Sequence, residues 1–169
     1  MPQTTRLNHV NLAARDDDAP WKESPMIQHD VSIHLNRPVD QVFTFLADPA
    51  KQPMWQANLI EIEQLTEGPM RVGTRIREVR RLGRRPTEYQ AEVTGFEPNK
   101  RFSLRVINGP RVTLSYSFGP EEGGTRLRYE FVMRPSGMMR ALAPLIIRSL
   151  RKRSSSDFEK LKDILERQR

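Results

Sequence analysis

The chain has 169 residues, of which 37% are hydrophobic, and it carries a formal net charge of +7. This length and this hydrophobic content predict one globular domain with a single core. The sequence contains no cysteine, which excludes disulfides, thiolate metal sites and thiol nucleophiles. It also has no signal-peptide core and no run of about 18 apolar residues, so we expect a cytoplasmic protein without a spanning helix.

The chain divides at about residue 26. Residues 1–25 are polar, contain three prolines and show neither a helical nor a strand period, which predicts a flexible N-terminal tail. Residues 26–169 are predicted to form the single folded domain. Trp21 is the large aromatic residue of the tail and is expected either to dock on that domain or to stay exposed.

The domain begins with a predicted strand and a short helix. Apolar and polar residues alternate from Ile27 to Leu35, which is typical of a half-buried strand. Pro38 suits the first turn of a helix, and apolar residues at helical spacing follow until Asp48 and Pro49 end the run.

A series of strands separated by turn residues follows. Strands are predicted at residues 59–65, 74–82, 87–96, 102–106, 112–118 and 127–133. Ile60 and Ile62 are expected to share one face of the first of these, with Glu61 and Glu63 solvated on the other. The last two strands alternate almost perfectly, so one face of the sheet is apolar and needs a cover.

The residues after Gly137 provide that cover. Apolar residues recur at helical spacing from Met139 to Leu165, predicting a long C-terminal helix, and Pro144 predicts a kink or a separate first turn. The predicted fold class is therefore α+β, a helix-grip fold. In it a strongly curved antiparallel sheet of six to seven strands wraps around the long C-terminal helix, with short helices between strands 1 and 2.

Several segments resemble one known family. Residues 31–49 are similar to the strand-xxPxxxVFxxlaDp opening of the SRPBCC or START-like superfamily, whose polyketide cyclase/dehydrase-like subgroup this chain resembles. Trp55, residues 72–74 and residues 96–99 also match its pattern. The resemblance implies binding of a hydrophobic ligand between the sheet and the last helix. It also implies that cyclisation or dehydration is an open alternative. The sequence contains no Gly-rich phosphate loop and no set of metal ligands, so no cofactor and no metal are predicted.

Candidate ligand-binding residues are those expected on the inner faces of these elements. A phenol that faces a cavity adds apolar contact and can hydrogen-bond a ligand oxygen, although it can equally bond the backbone. The candidates are Trp55, Ile60, Ile76, Glu78, Tyr89, Leu104, Tyr116, Tyr129, Met139, Leu142 and Ile146.

Three of these candidates carry an alternative interpretation. Glu78 and Arg80 form a charged pair at the cavity if they face inward with Ile76, but placement on the surface is favoured because charged residues are rarely buried. Trp55 is expected either to form a wall of the opening or to pack in the core. Met139, with Met138, suits a deformable lip or plain core packing.

No catalytic signature stands out. His29 and His34 are expected to be solvated or capping residues. The serines at 154–156 have no histidine near them in sequence, so a serine nucleophile is not predicted. No spacing of ligands indicates a metal site.

Basic residues form two clusters, one around a hairpin turn at residues 75–85 and one at residues 148–153 of the last helix. Acidic or apolar residues interrupt both clusters, which favours a solvated surface over a nucleic-acid site. Three hypotheses therefore stand. The protein binds a hydrophobic small molecule such as a lipid or polyketide, it is a cyclase or dehydratase acting in the same cavity, or it is a basic peripheral module that meets an anionic membrane or nucleic acid.

Overall fold

The structure is a computed structural model that describes residues 26–167. The predicted tail, with Trp21, lies outside the described residues. The strands are β1 (Ile27–Leu35), β2 (Leu59–Gln64), β3 (Arg75–Leu82), β4 (Arg85–Glu97), β5 (Arg101–Val106), β6 (Arg111–Glu121) and β7 (Gly124–Arg134). The helices are α1 (Val39–Ala47), α2 (Gln52–Trp55) and α3 (Ala143–Arg167), with 3-10 turns at Pro49–Lys51 and Gly137–Arg140.

The seven strands form one antiparallel sheet in the order β1-β7-β6-β5-β4-β3-β2. The segment with α1 and α2 carries the chain from β1 at one edge to β2 at the other. α3 packs against β1 and α2, so the sheet curves around it. The predicted helix-grip fold, the seven strands and the short helices after strand 1 are confirmed.

The connections divide the sheet into two ends. We call one the packed end, where β2 joins β3, β4 joins β5 and β6 joins β7, and where α1 contacts β6 and β7. We call the other the mouth end, where β3 joins β4, β5 joins β6 and the chain leaves β7. The β3–β4 connection is a tight turn in which Gly83 has φ +83°, a conformation that favours glycine.

The packed end holds a dense aromatic core. The Phe43 ring of α1 makes edge contacts with Phe96 and Phe118, at centroid distances of 5.4 and 5.2 Å, and Phe96 meets Phe102 at 6.0 Å. Val42 and Leu46 of α1 are buried in the same core. Burying each such side chain stabilises the fold by about 1.5–3 kcal/mol, so the helical spacing of α1 accounts for its position on the sheet.

The long helix α3 is shorter than the stretch of helical apolar spacing in the sequence. The residues around Met139 form a separate 3-10 turn, and α3 begins only at Ala143 with Pro144 in its first turn. The predicted separate first turn is confirmed, because proline can open a helix but cannot continue one. The buried residues of α3 begin only near its middle: Ser154, Asp157, Phe158, Leu161 and Leu165.

The prediction that Ile60 and Ile62 share a face is wrong. The pairing of β2 with β3 shifts between Leu59 and Glu61, so that Ile60 is the extra residue of a β-bulge. Ile60 is therefore 46% exposed, whereas Ile62 packs against the core. Glu61 and Glu63 are solvated, as predicted.

Candidate functional site

A cavity of about 510 Å³ lies between the sheet and the first half of α3. It forms because apolar residues of β4 to β7 face α3 at a point where that helix buries few side chains of its own. Its sheet wall consists of Ala91, Leu104, Val106, Val112, Leu114, Phe131 and Met133. Its helical wall consists of Met139, Leu142, Leu145, Ile146, Leu150 and Phe158.

The cavity opens at the mouth end. Leu142 and Leu145 line the cavity and are also 45% and 65% exposed, so they mark its opening. Gly83 of the β3–β4 turn and Pro110 of the β5–β6 turn stand on the opposite rim. A ligand therefore reaches the apolar interior by passing between the start of α3 and these two turns.

One flank of the cavity is polar. Arg80 donates from Nε to Glu78 Oε2 at 2.6 Å, from Nη2 to Gln56 Oε1 at 2.8 Å and from Nη1 to Asn58 Oδ1 at 3.2 Å. Gln56 in turn donates to the buried Gln52 at 3.1 Å. Burial opposes the charge of Arg80, but the ion pair and hydrogen bond with Glu78 outweigh it and raise the pKa of Arg80. The flank thus presents a fixed guanidinium beside an apolar space.

The prediction that Glu78 and Arg80 lie on the surface is wrong. Both line the cavity, and Glu78 is only 6% exposed. The unbroken register of β3 with β4 keeps them on the inward face with Ile76, because Gly83 lies beyond the pair, in the turn. Gln56 and Asn58, in the connection between α2 and β2, provide further hydrogen bonds of the kind that a buried charge requires.

Two buried phenols stand next to this flank. The rings of Tyr116 and Tyr129 lie opposite each other on β6 and β7 with centroids 5.2 Å apart. Burial raises the pKa of Tyr116 well above its usual value, with a further contribution from Tyr129, and burial also raises the pKa of Tyr129. Both phenols therefore stay neutral near pH 7 and can donate a hydrogen bond to an oxygen in the cavity.

Trp55 both lines the cavity and packs in the core. Its ring lies 5.7 Å from that of Phe158, and the residue is 2% exposed. Within the described residues, its indole N–H is the buried side-chain polar group that has no hydrogen-bond partner. An unpaired buried donor costs about 1–3 kcal/mol of stability. At this part of the cavity wall the described residues provide no acceptor for the Trp55 indole N–H.

A histidine and a serine far apart in sequence meet at the edge of the cavity. His29 Nε2 lies 2.5 Å from Ser154 Oγ, and the Ser154 hydroxyl donates to the Leu150 carbonyl at 2.9 Å. Burial and the charge of Arg151 lower the pKa of His29, so the ring is neutral at pH 7. Since the serine proton bonds the helix backbone, His29 acts as the donor, and the contact ties β1 to α3.

Asp157, one turn further along α3, also lines the cavity. Burial raises its pKa, although the backbone N–H of Ala57, which donates to Oδ1 at 3.0 Å, opposes this effect. The carboxylate thus holds α3 against the connection between α2 and β2. It faces Ala57, so it does not extend the contact between Ser154 and His29 into a catalytic triad.

The structure places nine of the eleven predicted ligand-binding residues on the cavity wall: Trp55, Glu78, Tyr89, Leu104, Tyr116, Tyr129, Met139, Leu142 and Ile146. Ile60 and Ile76 lie elsewhere. The bulge turns Ile60 outward, and Ile76 is fully buried in the packed core. That the nine contact a ligand stays a prediction.

Sequence reasoning missed Gln56, Asn58 and Ser154, which are polar residues of the wall. It also did not expect His29 to bond Ser154. A signal for His29 was present, because this residue has the same parity as Ile27 and Val31 and therefore faces inward.

Within residues 26–167, no group of three or more histidine, aspartate or glutamate side chains could hold a metal ion. None of the helices in that range is long and apolar enough to cross a membrane.

Residues 26–166 match the profile of a family described as polyketide cyclase / dehydrase and lipid transport. No curated protein matches the chain. A solved structure of a protein of unknown function from Staphylococcus aureus is 11% identical, with a TM-score of 0.69 over 85% of this chain and 96% of that one. A protein from Mesorhizobium loti is 21% identical, with a TM-score of 0.62 over 85% and 99%.

The di-domain ARO/CYC StfQ from the steffimycin biosynthetic pathway is 13% identical, with a TM-score of 0.69 over 83% of this chain. The match covers 51% of StfQ, so this chain corresponds to about half of that protein. At these identities the structural similarities establish the fold alone.

Proposed function

The chain belongs to the family described as polyketide cyclase / dehydrase and lipid transport, and from that premise we propose that it binds a hydrophobic small molecule of polyketide or lipid type in the cavity under α3. The observation that carries the proposal is an apolar cavity of about 510 Å³ with a single polar flank. This size lies within the range of roughly 300–1,000 Å³ that is usual for small-molecule sites.

The polar flank indicates how such a ligand would be oriented. Glu78 neutralises the charge of Arg80, so the pair attracts a carbonyl or hydroxyl oxygen more than it attracts a carboxylate. The phenols of Tyr116 and Tyr129 offer neutral donors on the same side. A ligand with an apolar body and a few oxygens near one end fits this distribution.

The proposal is tested by filling the cavity. Leu114→Trp places a large ring in the empty space, whereas Thr113→Trp adds the same ring to the exposed outer face of the same strand. Native mass spectrometry and displacement of a fluorescent fatty acid are measured for both variants and for the unmodified protein.

Uptake by the unmodified protein and by Thr113→Trp, with at least about a tenfold loss in Leu114→Trp, supports binding in the cavity. Failure of the unmodified protein to take up any fatty acid or aromatic polyketide contradicts it. Equal uptake by the two tryptophan variants contradicts it as well.

A second candidate function, a cyclase or dehydratase, is favoured by the buried charged pair of Glu78 and Arg80 in the wall of a mainly apolar cavity. In such a reaction the Glu78 carboxylate takes a proton from the acidic CH₂ between two ketones. The resulting enolate carbon forms a C–C bond to a second carbonyl, whose oxygen Arg80 stabilises as charge develops and a phenol protonates. For a dehydration, the phenolate then takes the remaining proton of the nucleophilic carbon, and the hydroxyl leaves as water with the proton held by Glu78, so that both groups return to their starting states.

Glu78→Gln separates this candidate from plain binding. With a stabilised poly-β-ketone as probe, we expect ring formation, followed by ultraviolet absorbance, to slow by about 10²-fold or more while the affinity for the probe changes little. Equal losses in rate and affinity, or no turnover in the unmodified protein, would leave binding as the function.

A further inference from the structure

We propose that the mouth end of the sheet docks on a bilayer that contains anionic phospholipid, with aliphatic side chains around the opening inserting between the lipids. The proposal concerns the outer rim of the cavity and does not depend on which molecule occupies the interior. It places the basic clusters of the sequence at one end of the fold and assigns them one kind of partner, an anionic membrane.

Large aliphatic side chains surround the opening and point into solvent. Met138 is 81% exposed, Leu145 65%, Leu142 45% and Ile107 39%. They come from the 3-10 turn, from the start of α3 and from the β5–β6 connection, which the topology brings to the same end of the sheet. Exposed apolar residues gathered at one site and rimmed by polar ones indicate an interaction surface.

The same segments are basic and lack acids. The chain contains no aspartate or glutamate between Glu78 and Glu88, between Glu97 and Glu121, or between Glu130 and Asp157. These intervals include the two turns and the start of α3 that frame the opening. Exposed basic residues near the opening within them include Arg84, Arg85, Arg111, Arg148, Arg151 and Lys152.

The packed end differs in charge. Its connections carry Glu67, Glu97 and Glu122 together with Arg71 and Lys100. The acids nearest to the mouth on β1 and β7 are Asp30 and Glu130, which face each other and lie three and four residues inside the ends of their strands. The positive charge is therefore concentrated at the opening, where it is complementary to an anionic surface.

The chemical type of the exposed apolar residues favours a bilayer over a nucleic acid as the partner. Binding of single-stranded nucleic acid relies on exposed aromatic rings that stack on bases, but the exposed large hydrophobic residues of the described range are all aliphatic. Aliphatic side chains among basic ones are typical of surfaces that lie in the interface of an anionic membrane. Docking there would also open the cavity directly toward the acyl chains.

The test is flotation of the full-length protein with vesicles of phosphatidylcholine alone or of phosphatidylcholine with about a third phosphatidylglycerol, an anionic lipid. We expect binding to the anionic vesicles, little binding to the neutral ones, and a steep decrease with added salt. The double variant Arg84→Glu/Arg85→Glu should bind at least about tenfold more weakly, since each basic residue near such a surface contributes substantially.

Two matched controls separate docking from general effects. Arg71→Glu/Lys100→Glu makes the same change in net charge at the packed end and should bind normally. Met138→Asp should weaken binding, whereas Val72→Asp, at an exposed residue of the packed end, should not. Neither Met138 nor Val72 lines the cavity, and circular dichroism verifies that each variant is folded.

The outcomes are distinct. Absence of binding to anionic vesicles, or equal loss in the packed-end controls, overturns the proposal. So does binding of a single-stranded RNA oligomer that Arg84→Glu/Arg85→Glu abolishes while vesicles are ignored. If the cavity-filled variant Leu114→Trp still binds vesicles, the docking proposal is supported even where the proposed ligand binding fails.

Discussion

The two ends of one sheet differ in what covers them. At the packed end, α1 and the second half of α3 fill the concave face, and the ring of Phe43 contacts the rings of Phe96 and Phe118. At the mouth end the same alternating strands face the first half of α3 across a cavity of about 510 Å³. One apolar sheet face can therefore be packed with side chains that stabilise the fold at one end and leave space for a ligand at the other.

The largest effect that tests this difference is on stability. Leu46→Ala in α1 should lower the free energy of unfolding by about 3 kcal/mol, because Leu46 is 1% exposed and contacts neighbours on all sides. Leu150→Ala in α3 makes the same helical substitution on the cavity wall and should cost only about 1 kcal/mol, since part of that side chain already faces empty space. Urea unfolding measures both values, and similar losses would contradict the distinction between the ends.

A smaller effect concerns the polar flank of the mouth end. Glu78→Ala leaves the Arg80 guanidinium without its carboxylate, and we expect the free energy of unfolding to fall by about 2 kcal/mol. This is less than is usual for breaking a buried ion pair, because the cavity admits water and because Gln56 and Asn58 still bond Arg80. Glu78→Met/Arg80→Met should recover most of that loss. Glu61→Ala, which removes a partner of Arg77 on the exposed outer face, serves as the control and should change stability less. If the double variant is no more stable than Glu78→Ala, the loss does not come from an unpaired charge.

The smallest expected effect is a pH dependence where β1 meets α3. Burial and Arg151 lower the pKa of His29 in the folded state below the value of about 6.5 in the unfolded chain. As the pH falls below about 6.5, the unfolded chain therefore binds a proton more readily than the folded one. The resulting stabilisation is present above that pH and is lost as pH falls through the lower folded pKa. His29→Gln should flatten the decline in stability between pH 7.5 and 5, measured by urea unfolding. An unchanged slope would show that His29 does not contribute to it.

Much of the fold could be predicted because it depends on local periodicity. The alternation in β6 and β7 and the helical spacing from Met139 to Leu165 identified the apolar faces, and Gly83 and Pro144 marked a turn and a helix start. The errors arose where one residue changes the outcome. A single bulge in β2 turned Ile60 outward, and an uninterrupted register kept Glu78 and Arg80 inside.

The candidate site could be predicted only in part. Parity on the strands and spacing on the last helix predict which side chains face the interior, and nine of the eleven candidates line the cavity. It does not reveal contacts made across the fold, such as His29 with Ser154 or Arg80 with Gln56, because those pairs are brought together by the packing of α3 and α2 on the sheet.

By itself, the order and period of the apolar residues determined that a curved antiparallel sheet grips a long C-terminal helix. Only the tertiary structure decided that the space between them is filled at one end and hollow at the other. The physical reason is that a hydrophobic pattern specifies the direction in which a side chain points, whereas a cavity depends on the distance between two layers. That distance is set by where α3 begins and by which of its residues reach the sheet.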